Sequence, residues 1–467
     1  MSNQTTRKQI ILGAHFPGVN NTTVWRNPAS GSQIDFASFR HFAQTAERGK
    51  LDFLFLAEGL RLREQRGLIH DLDVVGRPDT FAVLAALSSV TTQLGLAGTI
   101  NATFNEPYEV ARQFATLDQL SGGRAAWNVV TSSDAFTGEN FRRGGFLPHA
   151  QRYTRAREHV QTARELWDSW RSDAIVADKE AGQFLADGTA GAFAHDGEHF
   201  KISGRFNVPR SPQGHPVVFQ AGDSSDGREF AAQSADAIFT RHGTLEEGVA
   251  FTRDVKARAR RYGRDPDDLK VLPGVGFILG DTDQEAAEIA REVRFEQVSP
   301  QTAILLLEQV WNRDLSSYDP DGPLPAEDPD VESISIIQGR ARQVDGILET
   351  ARRYRRIAEE KNLSIRELIV EVTGRGLFVG SARTVADELD RFVLAGASDG
   401  FILVPHIVPF GLDGFVDQVV PLLQERGALR EDYVPGATLR ENLALPPAAP
   451  AAHWAARVRD NAEEVAS

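Results

Sequence analysis

Eight short apolar runs, each followed by a segment with helical spacing, predict a (β/α)8 TIM barrel, an α/β fold; an open doubly wound sheet is the alternative. Runs such as Leu51-Asp-Phe-Leu-Phe-Leu-Ala57 are nearly continuous in apolar residues, as suits a strand buried on both faces. Length agrees. The chain has 467 residues, whereas a barrel takes about 250 and passes 400 only with insertions, so the surplus is placed in loops. No internal repeat is found at a fixed period.

Taken in order, residues 9–13 read as the first strand and 36–48 as its helix. The second strand is 51–57, and its helix, 80–90, starts behind Pro78. The third is 94–99, with a helix from Pro107 to residue 120 that the Gly122-Gly123 pair stops. The fourth is 124–130, followed by a long helix over 153–170. The rhythm then pauses, and 197–213 is expected as a hairpin insertion turning at Gly204. It resumes with strand 216–221 and helix 227–234, strand 237–240 and helix 246–262, and strand 270–279 and helix 283–298. A second interruption covers 299–380 and contains the Pro-Asp-rich stretch Tyr318-Asp-Pro-Asp-Gly-Pro-Leu-Pro325. A helix over 381–394, strand 400–404 and helix 415–425 complete the pattern. One domain is therefore expected over 1–434, with insertions at about 172–215 and 299–380. Residues 435–467 are rich in Ala and Pro and read as an arm or loose tail.

Composition narrows the chemistry. There is no cysteine, and Met1 is the single methionine. A disulfide, a thiolate-ligated metal and a cysteine nucleophile are thereby excluded. The net charge is −14 (51 basic against 65 acidic residues), which repels a nucleic-acid backbone and favours solubility. No run approaches the 18 apolar residues of a membrane span. Residues 1–9 are polar and lead straight into a strand, so no signal peptide is read and a cytoplasmic location is the default expectation.

In a barrel, side chains at the C-terminal strand ends face the site. That rule selects His15 after strand one, Glu58 with Arg61 and Arg63 after strand two, Thr99, Asn101 and Thr103 after strand three, and Asn128 within strand four. It also selects Arg241 and His242 after strand six and His406 after strand eight. His15 and His406 are the candidate catalytic groups, against the plainer reading of a lone histidine as structural. Strand five ends in Gly222-Asp-Ser-Ser-Asp-Gly227, a glycine-bounded turn into a helix N-terminus. Ser224 and Ser225 there suit a phosphate, because free N–H groups and the positive dipole end converge; an ordinary N-cap is the competing reading. His149 and Tyr153 lie one helical turn apart and could reach the same anion. Asn128 is a polar amide in an apolar strand, so it needs partners when buried. No H-x-H follows strand one, and no H-E-x-x-H, Walker loop or well-formed G-x-G-x-x-G is present, so a hydrolytic metal site and a dedicated nicotinamide domain lack support.

Together these segments resemble a known family. The residues that carry it are Asp79-Thr-Phe, Thr103-Phe-Asn-Glu-Pro-Tyr-Glu-Val-Ala-Arg112, Leu117-Asp-Gln-Leu-Ser-Gly-Gly-Arg124, Trp127-Asn-Val-Val-Thr-Ser132, Phe219-Gln-Ala-Gly222, Phe378-Val-Gly-Ser381 and Gly400-Phe-Ile-Leu-Val404. They resemble the bacterial luciferase-like flavin-dependent monooxygenases, in the branch of the nitrilotriacetate, EDTA, long-chain alkane and dibenzothiophene sulfone enzymes. The resemblance runs from about residue 8 to residue 433. It implies reduced FMN (FMNH2) supplied by a separate NAD(P)H:flavin reductase, with O2 as co-substrate adding at the flavin C4a position. By position it implies Glu58 accepting from the flavin N3–H, with Thr103 and Asn128 at the ring edge. His149 and Tyr153 would meet the phosphate or ribityl chain, and Ser224 and Ser225 the phosphate. Relatives often carry Asp where Glu58 stands. Homodimers or tetramers are usual in the family.

The substrate class is left open between an aminopolycarboxylate, a sulfone and another xenobiotic-like compound. Arg61, Arg63 and Arg66, with Arg142 and Arg143, would suit an anionic one, against the reading of a solvated basic face. A flavin- or deazaflavin-dependent dehydrogenase on the same fold and a non-catalytic flavin-binding barrel are the alternative functions.

Overall fold

The computed structural model describes residues 7–18, 23–62, 64–70, 76–131, 140–141, 149–333, 335–336, 344–374 and 377–450. Its centre is a closed ring of eight parallel strands: β1 (Ile11–His15), β2 (Phe53–Leu56), β3 (Gly95–Asn101), β4 (Ala125–Val130), β5 (Val217–Ala221), β6 (Ala237–Thr240), β7 (Lys270–Leu279) and β8 (Gly400–Leu403). Each pairs with its successor, and β8 returns to β1 with Gly400 opposite Ile11. That last pairing excludes the open sheet. Strand Leu377–Gly380 pairs with the C-terminal half of β7 outside the ring.

Around the ring run α1 (Phe36–Arg48), α2 (Thr80–Ser88), α3 (Pro107–Ser121), α4 (His149–Asp168), α5 (Ser225–Ser234), α6 (Leu245–Arg261), α7 (Asp283–Gln297), α8 (Pro300–Trp311), α9 (Val344–Lys361), α10 (Ile365–Thr373), α11 (Ala382–Leu394) and α12 (Asp413–Glu425); a short α13 (Leu439–Asn442) follows. Local chemistry sets their ends. The Asp79 carboxylate accepts from Ala82 N at 2.7 Å to open α2, and Thr244 with Glu247 forms a capping box on α6. Pro107 begins α3, and Gly122, at φ 68°, ends it in the left-handed region.

Side chains alternate along each strand, so one set fills the barrel and the other meets the helices. Phe53, Phe55, Phe219 and Phe239 occupy the barrel interior, with Phe53 edge-on to Phe219 at 4.9 Å and Phe55 stacked on Phe239 at 5.6 Å. Gly13 and Gly274 make this possible. A Cβ on Gly13 would fall 2.3 Å from the Phe53 ring, and one on Gly274 2.6 Å from that of Phe239.

Within the stretch read as an arm or loose tail, residues 439–445 dock on the barrel as an arm. Leu439, Leu443 and Leu445 are buried against Ile11, Phe53, Ala126 and Val217 at the N-terminal end of the barrel. The apolar leucines sit at α-helical and turn positions inside an Ala/Pro-rich background, which hid them. Residues 451–467 lie outside the described residues.

The first insertion holds two hairpins, Ile175–Asp178 with Gln183–Leu185 and Ala192–Asp196 with Lys201–Arg205. Gly204 is inside a strand, opposite Phe193, rather than at the turn. The turn falls at 197–200 because Glu158 of α4 accepts from His199 N and Phe200 N, at 3.0 and 2.7 Å. A carboxylate distant in sequence thus outweighed the glycine signal. In the second insertion, α8, α9 and α10 share a core of their own around Leu307, Trp311, Tyr354 and Leu368. This unit grips a hairpin (Glu64–Gln65 with Leu68–Ile69) in the loop after β2. Gln65 Nε2 donates to the buried Glu308 at 2.6 Å, and Arg66 pairs with Glu308 at 3.2 Å.

Candidate active site

At the C-terminal end of the barrel, the inward residues change from apolar to polar. Along β1 they pass from Ile11 to His15, along β3 from Ala97 to Thr99 and Asn101, and along β4 from Ala126 to Asn128. Asn128 is 2% exposed and stands in register between Thr99 and Phe219. Its Nδ2 donates to Thr99 Oγ1 at 2.8 Å, while its buried Oδ1 finds no hydrogen-bond partner among the described residues. An unpaired buried acceptor is costly, so this oxygen is shaped for a donor from a ligand.

Glu58 follows β2 at the same mouth. One carboxylate oxygen, Oε2, accepts from both Asn101 N at 3.1 Å and Asn101 Nδ2 at 3.0 Å. Burial pushes the carboxyl up to about 7, against the two Asn101 bonds that pull it down. Arg77 reaches across beneath, donating to Glu58 O at 3.2 Å and Pro17 O at 2.6 Å. Thr103, 2% exposed, sits in the turn just after Asn101.

The β5 turn leads into the N-terminus of α5. Ser224 caps α5, accepting from Gly227 N at 3.1 Å, and the Tyr153 hydroxyl comes within 3.4 Å of the Ser224 hydroxyl. Ser225 is the first residue of α5, and its Oγ accepts from Arg258 at 3.4 Å. Burial raises the neighbouring Asp223 carboxyl, while Arg241 and Arg228 pull it down. α4 begins at His149, earlier than expected; the backbone of His149 opens the helix, but its side chain lies outside what is described. Arg152, which no local motif singles out, is a guanidinium only 6% exposed beside Tyr153.

The histidines differ. His15 is buried, its Nδ1 donates to Phe55 O at 3.0 Å, and its ring meets Phe55 edge-on. His406 is half-buried, and desolvation lowers it to about 4, so it is neutral at physiological pH. Its carbonyl ties the β8 loop to Val24 N at 2.8 Å. Among the proposed substrate arginines, Arg61 pairs with Glu64 at 3.3 Å, and Arg66 is drawn away to Glu308 and Asp314. Arg63, Arg142 and Arg143 lie outside the described residues. Among the described residues no cluster of His, Asp and Glu could hold a metal ion.

A family model described as "Luciferase-like monooxygenase" matches residues 19–399. The chain belongs to this luciferase-like, flavin-dependent monooxygenase family. Among relatives, N-acetyl-S-(2-succino)cysteine monooxygenase of Bacillus subtilis (strain 168) is 41% identical, over 94% of this chain and 97% of its own. Nitrilotriacetate monooxygenase component A of Aminobacter aminovorans is 39% identical, over 93% and 94%. Among solved structures, riboflavin lyase (RcaE) with modified FMN and substrate riboflavin superposes with a TM-score of 0.78 at 29% identity, covering 96% of this chain and 99% of that one. The luciferase-like monooxygenase is thus an enzyme by family as well as a barrel by topology. No helix among its described residues is long and apolar enough to cross a membrane.

Proposed function

We propose that the protein is the oxygenase component of a two-component monooxygenase that uses FMNH2 and O2. The observation that carries the reading is the buried, unpaired Asn128 Oδ1 at the barrel mouth, with Glu58 on the same rim and a capped helix N-terminus at the end of β5. An isoalloxazine ring offers donors for such acceptors, and a phosphate suits the α5 terminus. FMN thereby fits the residues present. When bound, reduced FMN supplies the chemistry that activates oxygen.

The chain's own contribution is placement and exclusion. Glu58 accepts from the ring's N3–H through a carboxylate oriented by Asn101. Thr103 and Asn128 fix the ring edge, and Ser224, Ser225, Tyr153 and His149 hold the phosphate end. His15 and His406 present ring nitrogens near the mouth and serve as the proton-handling groups. The second insertion, gripped onto the β2 loop, shields the mouth from bulk water. The nitrilotriacetate relative's name, component A, supports a separate flavin reductase as partner.

For substrate we propose a small carboxylate-bearing organic compound, because both relatives above are named for such compounds. Arg61 and Arg63 are its proposed anchors, with Arg61 exchanging Glu64 for the substrate. The test of the function is oxygen uptake and product formation with reduced FMN against oxidised FMN. Turnover with oxidised FMN, or none with any flavin, overturns it.

A further inference from the structure

We propose that Arg155 is a positioning residue that locks the turn after β3, and with it Asn101 and Glu58, and that Phe200 of the first insertion backs it. Arg155 lies on α4, one helical turn short of Glu158, and is 3% exposed. Its Nε donates to Ala102 O and Thr103 O, both at 3.2 Å, and its Nη2 to Asn105 O at 3.3 Å. One planar guanidinium therefore gathers the carbonyls of a single tight turn, which an ammonium cannot do with the same geometry.

That turn is wired to the mouth. Asn105 Nδ2 donates to Asn101 O at 2.8 Å, and Phe104 N donates to Asn101 Oδ1 at 2.8 Å. Asn101, fully buried, spends its own N–H and Nδ2 on Glu58. On its other side the Arg155 guanidinium lies 4.3 Å from the centre of the Phe200 ring. Phe200 is held there because its N–H and that of His199 donate to Glu158, on the same helix as Arg155. The first insertion thus presses a ring against the side chain that fixes the β3 turn. The path is Phe200, Arg155, the 102–105 carbonyls, Asn101, Glu58.

The consequence for FMN rests on the flavin reading above; the consequence for the turn does not. Arg155→Lys, Arg155→Met and Phe200→Leu are therefore compared in the full chain by two measurements. Hydrogen exchange without flavin is followed on a peptide covering residues 98–107. FMN affinity and the visible absorption spectrum of bound FMN are then recorded. Arg155→Met is expected to speed exchange in that peptide while α4 keeps its protection, to weaken FMN about tenfold, and to alter the bound spectrum. Arg155→Lys recovers part of each effect, and Phe200→Leu, which leaves the guanidinium in place, gives about a threefold loss of affinity. Unchanged exchange at 98–107, or a loss of protection spread evenly over the chain, overturns the proposal. If the unaltered protein binds no FMN, the flavin reading fails and the exchange measurement still decides the role of Arg155.

Discussion

The two ends of the barrel are built from the same strands and finished by opposite rules. At the N-terminal end, three carboxylates at the strand starts are paired. Asp52, Asp236 and Asp399 each precede a strand and accept a backbone N–H of a neighbouring strand (Leu12, Val218 and Val271) at 2.8 Å. They also meet Arg430, Arg440 and Lys256. The leucines after residue 438 fill the remaining apolar space. At the C-terminal end, an amide oxygen is left unpaired, and a carboxyl and an imidazole are held near or at neutrality by burial. Polar groups there are satisfied only in part, which is the condition of a site awaiting a ligand.

Damage at the closed end is expected to have the largest effect on folding and little effect on the site. Leu439→Ala removes a fully buried side chain and should cost about 2–5 kcal/mol of unfolding free energy. Chemical denaturation measures it, alongside FMN affinity on the folded fraction. A large loss of FMN affinity together with little loss of stability would reverse the roles assigned to the two ends.

At the open end, Glu58→Gln should act in the opposite direction. A carboxyl raised from 4.5 to about 7 binds a proton more tightly when folded. Stability therefore falls as pH rises from about 4.5 to about 7. Removing the charge should stabilise the flavin-free protein at pH 8, on the order of 1–3 kcal/mol, and leave it unchanged at pH 4. Thermal unfolding at the two pH values tests this; a variant less stable at pH 8 would mean that the carboxylate is well solvated or well paired.

This contrast also marks how far the sequence could be read. Strand and helix periods gave the eightfold alternation, and β6 and β7 fall on residues 237–240 and 270–279 as expected. Glu58, Asn128 and Ser224 were selectable because a barrel's strand ends define one face, and Tyr153 because it lies one helical turn from His149. What stayed hidden depends on contacts between distant residues. The Gly204 turn was displaced by Glu158, and the tail's leucines are recognisable only once a barrel end exists to receive them. Arg155 reads as one more helix-surface charge until the carbonyls of 102, 103 and 105 are placed beside it. The pairing of Arg66 with Glu308 spans two loops that no local pattern connects.

Asn128→Leu sharpens the comparison from inside the barrel. It replaces a half-satisfied amide with an apolar group of similar size, so stability should change by no more than about 1 kcal/mol, whereas FMN affinity should fall about tenfold. Titration of FMN fluorescence against the folded variant measures this. Unaltered affinity would mean that Oδ1 does not meet the flavin.

The smallest expected effect separates the two readings of the β5 turn. Ser224 caps α5, so Ser224→Ala should cost about 1 kcal/mol of stability whatever binds there. A cap alone predicts equal small changes in affinity for FMN and for riboflavin, which differ by the phosphate. A phosphate held by Ser224 and Tyr153 predicts a loss for FMN of about fivefold, with riboflavin nearly unaffected. The pair of ligands thus distinguishes a helix terminus that merely ends well from one that uses its free N–H groups on an anion. Equal losses for both ligands would place the phosphate elsewhere on the rim.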